Sequence, residues 1–396
     1  MVREIGMNKS ARKWMWNGLR LAVCTAGLWW VLHNVTLHDY VTLTDGTRVR
    51  MTKELPEGVM VVVEEAATGV GHGVVTAQQF VPMERIARGA DGQLRIEYGL
   101  GTTWRAANKP LLLACLLIFA PVTFFQALRF QLLLRAQEIG VTFWESIKLC
   151  YAGNFLNFIT ALGTTGGDMF KMYYVSLHTE RKTEAVTTVV LDRIVGLYGL
   201  ILLMGSLAVV RGRDPKIAYL QYVVAAVIVA GMIAYAALFS ERVRTALNLH
   251  RLLARLPFGS HWQRAEAATR RLVRHKRLLL GALGSTVVLQ VVALAAMVLS
   301  ARALEMVWSR SSVYDYATYL AGGVVVAAVP ISFQGLGTME AFYKHALLDS
   351  HGTLAQLLCL AMVVRALNLF WSLPGVVVTM TGAYRPRIRE EDVQFA

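Results

Sequence analysis

Six apolar runs, at residues 19–35, 111–128, 185–210, 217–239, 278–300 and 354–382, restrict what this chain can become more than any motif in it. About 20 apolar residues in a helix cross the hydrocarbon of a bilayer, and these runs are close to that length or longer. The chain has 396 residues, of which 55% are hydrophobic and only 17% charged, a balance foreign to an ordinary soluble domain. The expected class is an all-α polytopic membrane protein.

The first run follows a basic lead containing Arg3, Lys9, Arg12, Lys13 and Arg20. A signal peptide begins in the same way, but no small-x-small cleavage site follows, and Trp29, Trp30 and His33 close the run. A retained anchor with its tryptophans at the interface is the expectation. The net charge is +14, and its placement carries topology. Between residues 240 and 277 there are ten Lys/Arg against two acids, whereas residues 37–109 hold eight against nine. The positive-inside tendency puts the first segment in the cytoplasm and the second outside. Topology alone accounts for the basic loop; attraction to anionic lipid is the functional alternative. Nucleic acid is not an expected partner, since no binding signature accompanies the charge. Cys24, Cys115, Cys150 and Cys359 lie in or beside apolar runs without a CxxC, and the nine histidines form no HExxH-like pair. Neither a metal nor another cofactor is expected.

Residues 38–106 are of another kind. "DYVTLTDGTRVRM" alternates around Asp45-Gly46, "GVMVVVEEA" and "GVVTAQQFV" continue the strand character, and "DGQLRIEYGL" brings a second turn at Asp91-Gly92. A small extracytoplasmic β domain is expected, without acid pair or nucleophile, suited to packing or to a protein partner.

Two further stretches, near 147–178 and 317–346, are apolar yet broken by glycine. With a shift of 169 they match in outline: Gly153 meets Gly322, Gly166 meets Gly335, Tyr174 meets Tyr343, and Lys171 meets Glu340 with opposite sign. Each is followed by an apolar helix containing an arginine, Arg193 or Arg365. Three full spans separate them. If each is a hairpin that enters and leaves on one side, the two enter from opposite faces, as in transporters built on inverted repeats. Six spans and two re-entrant hairpins then place both termini in the cytoplasm. Arg211, Arg213 and Lys216, in a short outside turn, run against the charge rule.

A helix break at membrane depth leaves N–H and C=O groups that lipid cannot satisfy, so it belongs inside protein or beside a polar cavity. Gly166 and Gly167 in the first stretch, and Pro330, Gly335 and Gly337 in the second, supply the breaks. A helix restarting near Gly167-Asp168 aims free N–H groups and the positive end of its dipole inward, a setting for phosphate. Asp168 suits an N-cap and Glu340 a first turn, and both suit a cationic headgroup or a gate. Lys171 either snorkels or neutralises a lipid phosphate. Asp192 and Arg193 are neighbours on a helix, so they point apart and need separate partners. Intramembrane charges usually face an interior cavity, which makes Arg193 and Arg365 candidates for substrate contact or for structural pairing. Asn154, Asn157 and Asn368 suit either a polar path or bonds between helices.

At these positions the sequence resembles the lysylphosphatidylglycerol synthase transmembrane family, also called flippase-like membrane proteins. The carrying residues are Asn154, Asn157, Gly166-Gly167-Asp168, and "VVLDRIVGLYGL" with Asp192, Arg193 and Gly196. In the second half "PISFQGLGTMEAFY" supplies Pro330, Ser332, Gly335, Gly337 and Glu340. The resemblance spans about residues 110–382. Where the family often has a Pro ahead of Gly-Gly-Asp, this chain reads "ITALGTT", and the β region lies outside the family's common core. The resemblance implies a domain that moves a lipid between leaflets of the inner membrane. In two-part bacterial resistance factors such a domain accompanies a soluble one that aminoacylates phosphatidylglycerol; "YRPRIREEDVQFA" after the last run holds no such domain, so lysyl transfer is not assigned.

The expected organisation is a cytoplasmic N-terminus and first span at 1–37, the β domain at 38–106, the flippase-like region at 107–384 and a cytoplasmic tail at 385–396. The expected function is translocation of an anionic or modified lipid: a phospholipid, a glycolipid or a polyprenyl-phosphate-linked sugar. Asn154, Asn157, Asp168, Lys171, Asp192, Arg193, Glu340 and Arg365 are expected along the path. No P-loop is present, so transport would be passive or driven by ions or partners. Two alternatives stand beside it: a lipid-modifying enzyme using Asp168, Asp192 and Glu340 as acid/base groups, and a scaffold with inert hairpins. The sequence leaves the oligomeric state open.

Overall fold

The computed structural model describes residues 38–66, 74–88, 94, 96–160, 165–211, 221–222, 224–233, 269, 275–328, 335–348 and 350–381. The run at 19–35, the turn at Asp91-Gly92, most of the basic loop at 240–277 and the tail at 385–396 lie outside these residues, as does Pro330.

The chain first forms a five-stranded sheet in the order β4-β3-β2-β1-β5, with antiparallel neighbours throughout. The strands are β1 (Asp39–Thr42), β2 (Arg48–Leu55), β3 (Gly58–Ala66), β4 (Val74–Pro82) and β5 (Ile96–Glu97). Asp45 makes the first hairpin by accepting from the Thr47 N–H at 2.8 Å, while Gly46 takes φ +84°, which only glycine adopts without strain. Val41, Met51, Val59, Val61, Val81 and Ile86 form the apolar face of the sheet.

The helices follow as α1 (Leu100–Ala106), α2 (Lys109–Phe119), α3 (Val122–Ala136), α4 (Phe143–Ile159), α5 (Gly166–Ser176), α6 (Lys182–Arg211), α7 (Val224–Ile233), α8 (Lys276–Ala303), α9 (Arg310–Ala328), α10 (Thr338–Leu347), α11 (Leu354–Ser372) and α12 (Pro374–Thr381). Asp39, the first residue of β1, sits at the start of α1 and accepts from the Gly99 N–H at 2.7 Å and the Thr102 hydroxyl at 2.8 Å. A carboxylate there complements the free N–H groups and positive dipole end of the helix.

Among the described residues, four helices are long and apolar enough to cross a membrane: Lys109–Ala136, Lys182–Val210, Lys276–Ala303 and Leu354–Ser372. Of the other two expected spans, 19–35 is not described and 217–239 is described at residues 221–222 and over α7. Outward residues such as Leu280, Val287, Val291 and Val209 are more than half or about half exposed, an apolar rim suited to acyl chains. The stretch Lys109–Ala136 bends between α2 and α3, where Pro121 has no N–H to give. Ala120 N–H turns to the Leu117 carbonyl, and the Leu116 carbonyl accepts instead from the Trp371 indole of α11 at 2.8 Å. The expected run at 354–382 breaks at Leu373-Pro374 for a similar reason. Beyond the break α12 lies against α4, and Gly375 permits the approach, since a Cβ would collide with the Tyr151 carbonyl.

The glycine-broken stretches form two helix pairs, α4 with α5 and α9 with α10. The main core gathers α6, α8, α9, α10 and α11 around Tyr316, Leu320, Tyr343, Leu347 and Leu360. A second core joins α3, α4, α5 and α6 through Phe130, Leu134, Leu149, Val175 and Val189. Both helix pairs are thereby wrapped by longer helices, as breaks in apolar surroundings require.

Candidate functional site

The Gly-Gly pair sets the first helix pair at backbone distance. A Cβ on Gly167 would run into the Gly153 carbonyl of α4 and lie 2.8 Å from Asn157 Oδ1. With no Cβ, Gly167 donates its N–H to that Asn157 oxygen at 2.8 Å. Asn157 thus satisfies one of the orphan donors at the start of α5. The helix starts at Gly166 with Thr165 as its N-cap, so Asp168 is its third residue and is not the N-cap.

Asp168 is bonded to Arg193 of α6. The same guanidinium donates to the Ala328 carbonyl at the end of α9 at 3.1 Å, so Arg193 ties the first helix pair to the second. The second pair has its own version. Glu340 is the third residue of α10, and Arg365 of α11 holds both its oxygens while donating to the Gly335 carbonyl at 3.1 Å. Glu340 also accepts from the Gly337 N–H at 2.9 Å. Gly335 and Gly337 have φ +71° and +81°, so both backbone positions favour glycine. Each arginine follows its carboxylate by 25 residues. The correspondence these contacts carry is a shift of 172, which equates Asp168 with Glu340 and Arg193 with Arg365, in place of the 169 that equated Lys171 with Glu340.

Asp192 turns away from Arg193 and meets Arg129 of α3, whose Nε donates at 2.7 Å; both side chains are under a tenth exposed. Gly196 makes room, since a Cβ there would stand 2.7 Å from the Arg129 guanidinium. Lys171 is 3% exposed, lies 5.2 Å over the Phe130 ring and fits against Gly153, whose missing Cβ would be 2.9 Å from its Cε. Asn154 pairs with Gln126 of α3 through its Nδ2 at 2.9 Å, and Gln290 of α8 donates to the Gly196 carbonyl at 2.6 Å.

Most of these groups line an open-mouthed cavity of about 300 Å³. Its lining includes Asn157, Asp168, Lys171, Asp192 and Arg193 with Arg129, Gln126 and Gln290, together with leucines of α6 and α8. Its charged lining is three cations (Arg129, Lys171, Arg193) against two carboxylates (Asp168, Asp192), a balance of 3 − 2 = +1. A smaller cavity of about 180 Å³ lies against Arg365, Asn368 and Phe158, and Arg193 borders both.

Of the residues singled out in the sequence, Asn157, Asp168, Lys171, Asp192 and Arg193 therefore share the larger cavity. Arg365 lies at the smaller one, with Glu340 behind it, and Asn154 stands off the wall beside Gln126. Sequence reasoning missed Arg129, Gln126 and Gln290. Arg129 follows directly on the apolar run ending at residue 128 and reads there as a flanking cation; in fact the helix continues to Ala136. An arginine between Leu128 and Phe130 was the available signal.

No curated protein matches the chain in sequence. The family model described as "Lysylphosphatidylglycerol synthase TM region" matches residues 99–375, a span that begins just after β5 and takes in both helix pairs and the three arginine–carboxylate contacts of the site. This multi-pass membrane protein therefore belongs to the lysylphosphatidylglycerol synthase transmembrane-region family.

Proposed function

We propose that the chain moves an amphiphilic lipid bearing an anionic group between the leaflets of the inner membrane. The observation that carries this reading is the larger cavity, whose lining combines charged groups with a surplus positive charge and the leucines of two helices. A phosphate among these charged groups would balance Lys171, Arg129 and Arg193, while its lipid tails lie along the leucines. In a medium of low dielectric an unbalanced buried charge is costly, so the site favours an anion over an empty or neutral occupant. The two helix pairs act as re-entrant hairpins from opposite faces, with the sheet outside and both termini in the cytoplasm. Arg193, bonded to both pairs and bordering both cavities, is the point where the headgroup changes hands.

The test is reconstitution into vesicles carrying a trace of phospholipid labelled on an acyl chain, with leaflet exchange followed by quenching from outside and products followed by mass spectrometry. Accelerated exchange that Lys171→Gln removes supports the proposal. A new chemical species without exchange supports the lipid-modifying enzyme instead. Neither exchange nor product, with phospholipids and with polyprenyl phosphates, defeats both.

A further inference from the structure

The second helix pair is fastened at its outer end by a chain of side chains that can store one proton. His351, in the connector from α10 to α11, places Nε2 2.9 Å from Asp315 Oδ2 on α9. Its Nδ1 lies 2.8 Å from the Ser350 hydroxyl oxygen. Asp315 is 4% exposed, and the His351 side chain is 14% exposed. The backbone is held as well: the His351 carbonyl accepts from the Tyr316 hydroxyl at 3.0 Å and from the Val307 N–H at 3.1 Å. The connector is thereby tied to α9 and to the α8–α9 connector at one point.

Both protonation states of the imidazole fit this arrangement. In the neutral ring Nε2–H donates to Asp315 and Nδ1 accepts from the Ser350 hydroxyl. When a proton adds to Nδ1, the new N–H donates to Ser350 Oγ, whose hydrogen turns toward the Leu347 carbonyl at 3.4 Å. No heavy atom need move. The contact with Asp315 changes from a neutral hydrogen bond to a charge-assisted ion pair, which is roughly twice as strong. The other titratable or charged groups on these elements are Arg310, Tyr314, Tyr316 and Tyr319 on α9, Arg302 in the last turn of α8, Glu305 in the α8–α9 connector, and Tyr343, Lys344 and His345 beside Glu340 on α10. Ser, His and Asp in this order also describe a nucleophilic relay. Here the hydroxyl faces the carbonyl end of α10, which opposes an oxyanion, so acyl transfer has no support.

We propose that Asp315, His351 and Ser350 form a proton-operated latch that holds the foot of the second helix pair more tightly once the imidazole carries a proton on both ring nitrogens. The first pair carries a looser counterpart. His178, after α5, lies 3.9 Å from Glu145 near the start of α4, and the other Glu145 oxygen is occupied by the Thr142 N–H and hydroxyl. Arg181, beside His178 in its connector, is paired with Glu138. If the two pairs face opposite compartments, which rests on the proposed function, the tight latch reads the pH of one side only.

The test is hydrogen exchange of the full-length protein in lipid nanodiscs at about pH 5.5 and about pH 8, on either side of the ordinary histidine value, with times scaled for intrinsic chemical rates. In wild type, amides of residues 310–316 and 350–356 should exchange about fivefold more slowly at the lower pH, the gain expected when a neutral bond becomes charge-assisted. His351→Gln keeps an N–H donor for Asp315 but cannot take up a proton, and should abolish the difference while keeping the fold. Asp315→Asn should abolish it too, and His178→Gln should leave it intact. A pH response that persists in His351→Gln, or is missing from wild type, overturns the latch. The readout does not involve lipid movement, so failure of translocation with an intact pH response would sink only the proposed function.

Discussion

Arg193 lies 25 residues after Asp168 and bonds it, and Arg365 stands at the same distance from Glu340. In each case the carboxylate is the third residue of a helix that follows a break, and the arginine comes from the next helix. The two acids sit where a helix N-terminus favours negative charge, which lowers the cost of keeping them at this depth. Asp168→Asn and Arg193→Gln should each destabilise the protein, and together they should cost less than the sum. The expected coupling is about 1–3 kcal/mol, read from a double-mutant cycle of thermal unfolding in detergent. Additive effects would mean that the contact is incidental.

Arg129 and Asp192 form the most enclosed ion pair of the site, at 7% and 6% side-chain exposure. Arg129→Met strands a carboxylate in an apolar setting and should cost about 3–5 kcal/mol. Adding Asp192→Leu should recover most of that loss, because two matched apolar side chains need no counter-charge. Denaturation of the single and double variants distinguishes this from a pair that binds substrate alone, for which stability would not move.

Gly167→Ala should be the most damaging of the single-methyl changes in the first helix pair. The added carbon meets the Gly153 carbonyl and competes with the Asn157 bond, so α4 and α5 must part. A cost of about 1–3 kcal/mol, in the range of overpacked cores, is expected. Crosslinking yield between cysteines placed on the two helices should fall in parallel.

Gly337→Ala tests backbone conformation more than space. Its φ of +81° costs an L-residue about 1–2 kcal/mol, so thermal stability should drop by that amount. The Glu340–Arg365 contact on the far side of the turn should remain. An unchanged melting temperature would place this turn in another conformation.

In the sheet, Tyr98 donates to Glu54 at 3.0 Å, and partial burial with that neighbouring carboxylate pushes its ionisation up to about 12. The folded form keeps the phenol protonated more firmly than the unfolded chain does. Its contribution to stability is therefore complete below about pH 10 and is lost as pH rises toward 12. The difference absorbance of tyrosinate between wild type and Tyr98→Phe should show a transition near 12; one near 10 would remove the Glu54 contact from the account.

Much of this was legible in single stretches of sequence. Four spans read as apolar runs, and Gly166, Gly167, Gly335 and Gly337 read as breaks because helices in lipid do not spend glycine pairs idly. Register was harder. Matching by identity favoured a shift of 169, since glycines and tyrosines coincide there, whereas the contacts follow charge and give 172. Arg129 was hidden because run length was judged on hydropathy, and a single arginine ends a run on that scale even when the helix goes on. Pairs such as Asp315 with His351 are joined only by folding, and nothing at their spacing in the chain announces them.

The carboxylate of Asp39 at the head of α1 has one further consequence. The strands depart from a residue and come back, sixty positions later, to a helix start pinned to it, and the family match opens at that same place. Such an excursion is closed on itself like a loop of rope, knotted at Asp39 and again where β1 lies beside β5. Its interior can lengthen, shorten or be replaced while the bundle beyond the knots keeps its alignment.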